Sequence, residues 1–271
     1  MIFWILTHKF KKDIINIQEL EVKEIKKFKF SKETIIGIFL VLLLLVALFD
    51  IANWVYQTRI SDKKMRELEN LINIDNINPN GEIDYENDEE AKLLISERGA
   101  IDFDKLNEIN SDTKGWIKID SLGISYPIMQ CADNDYYLKK NIYKEDDISG
   151  SIFLDYRNNG FDDRHTIIYG HNMKNDSMFG RLDEVLKGKT GTNVDILVLT
   201  KDKSYKYKAF STYEVDPMNF RMSDTIEDAA NKSKVDFGQD IYPEGKFISL
   251  YTCMDTGKNK TILHAYLERE V

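Results

Sequence analysis

Two residues of this 271-residue chain have side chains and positions suited to nucleophilic chemistry, Cys253 and His171. Each follows a short β-type segment, residues 247–252 before the cysteine and residues 167–169 before the histidine. A thiol at the end of a strand is held rigidly and can still face solvent, which suits a nucleophile. An imidazole in a similar position can supply the acid and base that a thiol needs. The pair predicts cysteine-based catalysis, although an isolated cysteine is more often a small buried hydrophobe.

The other cysteine and the other histidines have structural interpretations. Cys131 is expected to be a packed thiol, and the two cysteines are expected to be reduced or far apart, because a disulfide to Cys253 would block the nucleophile. His165 is predicted to be a solvated turn residue, and His264 is predicted to be packed within the last strand. His8 precedes a long apolar segment that is predicted to span the membrane, so it would lie on the opposite side of the membrane from Cys253. These residues lack the spacing of metal ligands, so neither a metal site nor another cofactor is predicted.

From residue 115 onward, short apolar and aromatic runs alternate with turns. About eight such runs predict a mostly β fold with a closed or nearly closed barrel and flanking helices. The predicted strands are residues 116–119, 124–129, 151–155, 166–169, 195–199, 204–213, 246–251 and 261–267. The predicted helices are residues 59–72, 89–97, 103–110, 178–187 and 225–233.

A long apolar run near the N-terminus predicts a membrane-spanning helix. Residues 35–49 contain only apolar side chains and glycine, and a span of residues 34–56 reaches the length that a bilayer requires. A buried core helix rarely reads apolar on all sides for four turns, and no signal-peptide cleavage pattern follows the run. Lysines before the run and the long acidic sequence after it favour a cytoplasmic N-terminus and an exported C-terminal part.

Charge is distributed unevenly along the chain, whose formal net charge is −9. Residues 1–33 carry eight lysines and five acidic residues, whereas residues 57–271 carry 29 basic and 40 acidic residues. Nucleic-acid binding needs a basic face, so the acidic body argues against a nucleic acid as the main partner. Two cysteines are also too few for a disulfide framework.

Five short motifs, taken in order along the chain, resemble those of class B sortases, which are membrane-anchored cysteine transpeptidases of Gram-positive bacteria. The motifs are YPIMQ through DNDYYL (126–138), GSIFLDYRN (150–158), YGHNM (169–173), MFGRL (178–182) and SLYTC (249–253). The last is similar to the sortase TLxTC motif, with serine in place of the first threonine. YGHNM resembles the sortase histidine loop. The resemblance extends from about residue 112 to residue 267.

The resemblance implies a sortase-type eight-stranded β-barrel preceded by an N-terminal transmembrane helix and short helices. On this interpretation residues 1–33 form a cytoplasmic tail and residues 34–56 the transmembrane helix. Residues 57–98 form a helical and linker segment that includes the turn-type sequence NPNG at residues 78–81. Residues 99–271 form the extracellular catalytic domain.

The resemblance also implies a transpeptidase that cleaves the C-terminal sorting signal of exported proteins. Cys253 corresponds to the nucleophile that forms a thioacyl intermediate. His171 corresponds to the group that protonates the leaving amine and deprotonates the incoming one. The acyl group then passes to an amine of a cell-wall precursor or to a pilin lysine. The thiolate is the reactive form and a free thiol has a pKa of about 8.5, so a nearby cation would increase the ionised fraction.

The third functional residue of the family is an arginine that opens the final strand, and Lys260 occupies the matching position here. Lysine keeps the charge but lacks the planar fork that grips a carbonyl oxygen. Either Lys260 serves with lower efficiency, or a shift of residues 254–259 brings in another cation, or the enzyme is impaired. Arg269 is poorly placed for this role, far along the chain. Asp255 could orient His171, although a role in the turn is the simpler interpretation.

Two other functions are compatible with these residues. A catalytically weak, membrane-anchored scaffold that binds sorting signals would account for the missing arginine. A hydrolytic cysteine protease would use the same nucleophile and base, and would pass the acyl group to water instead of an amine.

Overall fold

The computed structural model describes residues 31–72, 88–216, 225–238, 244–253 and 260–271, with the side chain of Cys253 excepted. The predictions for residues 1–30, for the NPNG turn and for Asp255 lie outside the described residues. Within the described ranges, the chain divides into two compact units after Val55.

One long helix and four shorter ones precede the strands or connect them in the described part of the chain. The α-helices of the described residues are α1 (Lys32–Ile72), α2 (Glu89–Gly99), α3 (Phe103–Ile109), α4 (Leu182–Leu186) and α5 (Ile226–Asn231). Asp88, Asp102 and Thr225 precede α2, α3 and α5, and each side chain accepts a hydrogen bond from a backbone N–H of the first turn. Such caps satisfy N–H groups that have no partner within the helix. The helix predicted at residues 178–187 is shorter than expected, because Met178 pairs with Asn172 in an isolated β-bridge.

Eight strands close into one barrel, in the order β1-β2-β3-β4-β7-β8-β6-β5. They are β1 (Thr113–Ile119), β2 (Ile124–Met129), β3 (Ile152–Leu154), β4 (His165–His171), β5 (Asp195–Leu199), β6 (Ser204–Val215), β7 (Phe247–Cys253) and β8 (Lys260–Glu270). Each predicted strand is present, and the predicted mostly β barrel with flanking helices is confirmed.

The barrel interior is filled by alternate side chains of its strands, because successive side chains of a strand point to opposite faces. In β7 the inward residues Ile248 and Leu250 are fully buried, and in β8 the same holds for Leu263 and Ala265. All four belong to one continuous buried cluster. Fully burying a leucine or isoleucine contributes about 1.5–3 kcal/mol to folding. This alternation fixes the register of each strand, since a slip by one residue would expose the whole inner set.

The parallel pair of β4 and β7 positions the candidate site. The two strands pair over their full lengths, from His165 opposite Phe247 to His171 opposite Cys253. Parallel neighbours need a long crossover connection, and residues 172–246 supply it here, with α4, β5, β6 and α5. The crossover brings the C-terminal ends of both strands to the same end of the barrel.

The helix α1 is continuous across residues 34–56 and 59–72, which were predicted as two helices, because no glycine or proline separates them. In the first compact unit its apolar side chains are exposed. The helix is long and apolar enough to cross a membrane. A signal sequence near an N-terminus can have the same length and composition. In the second unit, Leu68 of α1 is fully buried in a cluster with Leu106 and Trp116.

Candidate active site

Three adjacent strands bring the predicted site residues into one row at one end of the barrel. His171 ends β4 and is the Cα partner of Cys253, which ends β7. Lys260 begins β8, which pairs antiparallel with β7 up to Tyr251 opposite Ile262. Lys260 therefore lies two residues before the first paired residue of β8 in that ladder, at the end of the strand pair where Cys253 lies. Neighbouring strands lie about 4.8 Å apart, so the backbones of His171 and Cys253 are adjacent, and Lys260 begins the next strand of the barrel.

A backbone carbonyl orients His171. The Nε2 atom of His171 lies 2.6 Å from the carbonyl oxygen of Leu138, which can only accept a hydrogen bond. Neutral His171 in this arrangement carries its proton on Nε2 and keeps a lone pair on Nδ1, which can accept a proton. Sequence reasoning missed Leu138, because every residue has a carbonyl group and only the fold selects one of them.

The turn that presents Leu138 is fixed on two sides. Tyr137 is fully buried, and its hydroxyl donates to Asp112 over 2.7 Å and accepts from the Asn110 amide over 2.9 Å. Burial, together with the Asp112 carboxylate, raises the pKa of Tyr137 well above its usual value, so the hydroxyl stays protonated. On the other side, a Cβ atom at Gly150 would lie 2.6 Å from the Leu138 oxygen, and its φ of 56° also favours glycine.

Two tyrosines lie directly behind the row. Tyr169 and Tyr251 are Cα partners two residues before His171 and Cys253. Their rings meet edge to face with centroids 5.6 Å apart, a favoured geometry for aromatic pairs. The hydroxyl of Tyr169 donates to Asp155 over 2.9 Å. The aromatic pair is thereby anchored to a third strand end.

Asp155 is a buried carboxylate that this anchor depends on. Arg157 donates two side-chain hydrogen bonds to it, of 2.7 and 2.8 Å, and the Asn134 amide donates a third over 3.0 Å. Burial alone would raise the pKa of Asp155, but the hydrogen bonds from Arg157, Tyr169 and Asn134 outweigh it and hold the pKa below its usual range. The LDYRN segment carries the sequence signal for this cluster, but no role was predicted for Asp155.

The two cations considered for the family's arginine position lie in different places. Lys260 is at the row and largely buried, with 7% of its surface exposed, and its Cα partner in β6 is Val215. Arg269 lies toward the other end of β8, where it forms ion pairs with Asp88 and Glu90. Lys260 and Arg269 therefore lie toward opposite ends of β8.

The prediction of a solvated turn at His165 is wrong. His165 begins β4, stacks on Phe247 with ring centroids 3.9 Å apart, and places Nε2 2.6 Å from the Ser249 hydroxyl. That hydroxyl lies 2.7 Å from Nδ1 of His264, whose Nε2 is 3.2 Å from the Tyr213 hydroxyl. His264 is 1% exposed, which confirms its predicted packing. Cross-strand neighbours, which a local sequence pattern does not contain, create this chain of hydrogen bonds.

Acidification is expected to destabilise the barrel through these histidines. Burial lowers the pKa of His264 to about 3 and that of His165 to about 4, below the value of about 6.5 in an unfolded chain. The unfolded state therefore binds more protons below pH 6.5, and stability falls as the pH decreases from 6.5 toward these values. For His264 the loss at pH 5 is about 2 kcal/mol.

Urea unfolding of the full chain in detergent, at pH 7 and at pH 5, measures this effect. The variant His264→Gln removes the titrating group and should lose about 2 kcal/mol less between the two pH values. An equal loss in both proteins would contradict the assignment to His264.

The second cysteine has the structural role that was predicted. Cys131 is half-buried against an apolar cluster, and its thiol lies 3.3 Å from the Asp133 carbonyl oxygen. Burial raises the pKa of Cys131, which makes it less reactive than an ordinary thiol.

Among the described residues, no group of three His, Cys, Asp or Glu side chains could hold a metal ion.

The chain is similar to known proteins in sequence and in fold. A family model described as Sortase domain matches residues 117–268, which include the whole row. Sortase B of Listeria monocytogenes is 46% identical over 112 residues, which cover 41% of this chain and 43% of the relative. Sortase B of Staphylococcus aureus is 29% identical over 171 residues, which cover 59% of this chain and 70% of the relative.

A solved structure shares the fold over most of the described chain. The crystal structure of Bacillus anthracis sortase B in complex with AAEK1 superposes with a TM-score of 0.61 and 28% identity. The superposition covers 78% of this chain and 98% of that one. The family model covers more than half of the chain, and both relatives and the solved structure are sortases B. The chain therefore belongs to the sortase family, as a class B sortase.

Proposed function

We propose that this protein cleaves a C-terminal sorting signal of exported proteins through a thioacyl intermediate on Cys253 and transfers the acyl group to an amine. Cysteine transpeptidation is the general activity of the sortase family. The observation that carries the assignment to residues is the row of His171, Cys253 and Lys260 on three neighbouring strands. Acyl transfer needs a base beside the thiol and a cation near the developing oxyanion, and the row contains both.

In the first half of the reaction, the Cys253 thiolate attacks the carbonyl carbon of the scissile peptide bond. The negative charge that develops on the carbonyl oxygen is stabilised by the ammonium of Lys260. His171 in its protonated form gives a proton from Nδ1 to the leaving amine, while Nε2–H stays bonded to Leu138. The C–N bond breaks, and the acyl group remains on sulfur as a thioester.

In the second half, an incoming amine attacks the thioester. Neutral His171 accepts the proton of that amine on Nδ1, the C–S bond breaks, and Cys253 leaves as the thiolate. An amine of a cell-wall precursor or a pilin lysine supplies the acceptor. Both halves use the same histidine orientation, which the Leu138 carbonyl maintains.

The proposed location follows from α1. Residues 34–56 would anchor the protein in the membrane as a single span, with residues 1–33 in the cytoplasm and residues 99–271 acting outside the cell. The exposed apolar surface of α1 and the acidic composition after it support this topology.

A scaffold that binds sorting signals without turning them over is the second candidate, and the lysine at the family's arginine position is the observation in its favour. A hydrolytic cysteine protease is the third, because water can take the place of the acceptor amine.

The test is a cleavage assay of the full chain in detergent against an internally quenched peptide library, with and without triglycine as the amine. The proposal expects cleaved peptides whose new C-terminus carries triglycine when the amine is present. Free acid as the product in both conditions would indicate a hydrolase instead. Peptide binding without cleavage would overturn the catalytic assignment and favour the scaffold.

A further inference from the structure

We infer that Asp183 is a positioning residue that holds the catalytic row in register, an inference that rests on the proposed function of that row. Asp183 lies in α4, on the crossover between β4 and β7. Its carboxylate binds side chains that neighbour the row along the chain. No role was predicted for it from the sequence.

One carboxylate connects the ends of two strands that are not neighbours in the sheet. The Thr261 hydroxyl of β8 donates to Asp183 Oδ1 over 2.5 Å. The Asn172 amide, just after β4, donates to Asp183 Oδ2 over 3.4 Å. Between these strands, the Thr261 N–H donates to the Thr252 hydroxyl of β7 over 2.9 Å, and that hydroxyl donates to the Thr261 carbonyl over 3.2 Å. The network therefore includes all three strands of the row.

The other three members of the network each precede or follow one residue of the row along the chain. They are Asn172 after His171, Thr252 before Cys253 and Thr261 after Lys260. Thr252 and Thr261 are buried, with 0% and 3% of their surfaces exposed. On the same helix as Asp183, Leu182 and Val185 are buried in the cluster that fills the barrel. Asp183 is therefore attached to a helix that is itself fixed in the core.

A carboxylate suits this position because it offers two acceptor oxygens and no donor. It can accept from Thr261 and Asn172 at the same time, and hydrogen bonds to an ionised acceptor are stronger than neutral ones. Asp183 also lies 3.5 Å from Lys187, but the lysine side chain is 57% exposed, and exposed ion pairs contribute little. Lys187 therefore provides a control for the loss of charge pairing alone.

The expected consequence concerns rate rather than substrate affinity. Asp183 reaches the row only through neighbouring residues, so its loss would shift His171 and Lys260 relative to Cys253 without removing a direct contact to one of them. A misplacement of about 1 Å between reacting groups costs about 100-fold in rate. Displacement of cations from the thiolate would also make Cys253 ionise at higher pH.

The experiment compares Asp183→Ala with the unchanged full chain in detergent. We expect kcat for peptide cleavage to fall about 10- to 100-fold per active site, with KM changed less than about twofold. Active sites are counted by labelling with a thiol-reactive peptide. The pH profile of iodoacetamide alkylation, followed on the Cys253 peptide by mass spectrometry, should shift to higher pH. Because only the Cys253 peptide is quantified, alkylation of Cys131 does not contribute to the measured profile.

Matched variants separate positioning from folding. Thr261→Val removes the hydroxyl at constant shape and should reproduce the Asp183→Ala effect, whereas Thr261→Ser keeps the hydroxyl and should restore most of the rate. The double variant of Asp183→Ala with Thr261→Val should be no slower than either single variant, because both break one network. Lys187→Met should behave like the unchanged protein. If Asp183→Ala does not fold, the two Thr261 variants decide the question.

Unchanged kcat and an unchanged alkylation profile in Asp183→Ala and Thr261→Val would overturn the inference. The inference would also be overturned if the loss of activity were explained entirely by a smaller number of labelled active sites. Neither result affects the proposed function, which depends on Cys253. Turnover that persists in Cys253→Ala would instead refute the proposed function, whatever the Asp183 variants do.

Discussion

Replacing Cys253 with alanine should reduce peptide cleavage at least about 10³- to 10⁴-fold, and His171→Ala should do the same. Without the thiol no thioacyl intermediate can form. Without the imidazole the leaving amine loses its proton donor, and the Leu138 carbonyl that orients His171 cannot replace it. Nucleophile and base act as a unit, so the double variant should be about as slow as each single one.

Matched controls use the chain's other cysteine and another histidine. Cys131 and His165 lie outside the row, so Cys131→Ala and His165→Gln should retain the cleavage rate of the unchanged protein. The rates come from cleavage of a peptide selected from the library, and circular dichroism checks that each variant is folded. Cleavage at the normal rate by folded Cys253→Ala would rule out the thioacyl mechanism.

The variant Lys260→Met should lower kcat about 10²- to 10³-fold, the cost of removing one group that stabilises an oxyanion. Methionine keeps most of the length and apolar stem of lysine, so the change isolates the charge. Lys260 is largely buried at the start of β8, where its ammonium is less screened by water than at the surface. Lys260→Arg restores the family's residue and should equal or exceed the unchanged protein in kcat, because the guanidinium can bind a carbonyl oxygen through two N–H groups.

These two variants distinguish the three interpretations of the missing arginine. A large loss in Lys260→Met, with activity retained in Lys260→Arg, would identify Lys260 as the oxyanion cation. Equal rates in Lys260→Met and the unchanged protein would mean that another cation serves. A large gain in Lys260→Arg from a very slow starting enzyme would mean that lysine impairs catalysis. The measurement is kcat per labelled active site.

Strands were predictable because their signal is local. Alternating apolar residues such as Ile248 and Leu250 are close together in the sequence, and their alternation alone indicates a strand with one buried face. The positions of Cys253 and His171 at strand ends followed from the same local signal. Their adjacency did not, because it depends on the parallel pairing of β4 with β7 across a long crossover.

His165 illustrates why other side chains could not be predicted. Its neighbours along the chain are charged and suggested a turn, but its stabilising contacts are Phe247 and Ser249, on a strand about 80 residues away. Asp183 is similar, since its partner Thr261 lies 78 residues further along the chain. Such contacts depend on the packing of distant segments, which no window of sequence contains.

The order of the amino acids was sufficient to predict the strands, the apolar N-terminal segment, the family resemblance and the chemical types of the site residues. These properties depend on side-chain identity and on periodicity over a few residues. Which strands are neighbours followed from the three-dimensional structure, which brings the ends of β4 and β7 side by side and sets β8 next to β7. It also selected the Leu138 carbonyl that fixes the proton of His171 and the Asp183 carboxylate beneath the row. These partners could not be predicted because hydrogen-bond geometry depends on distances in space, which the closure of the barrel sets and the spacing along the chain does not.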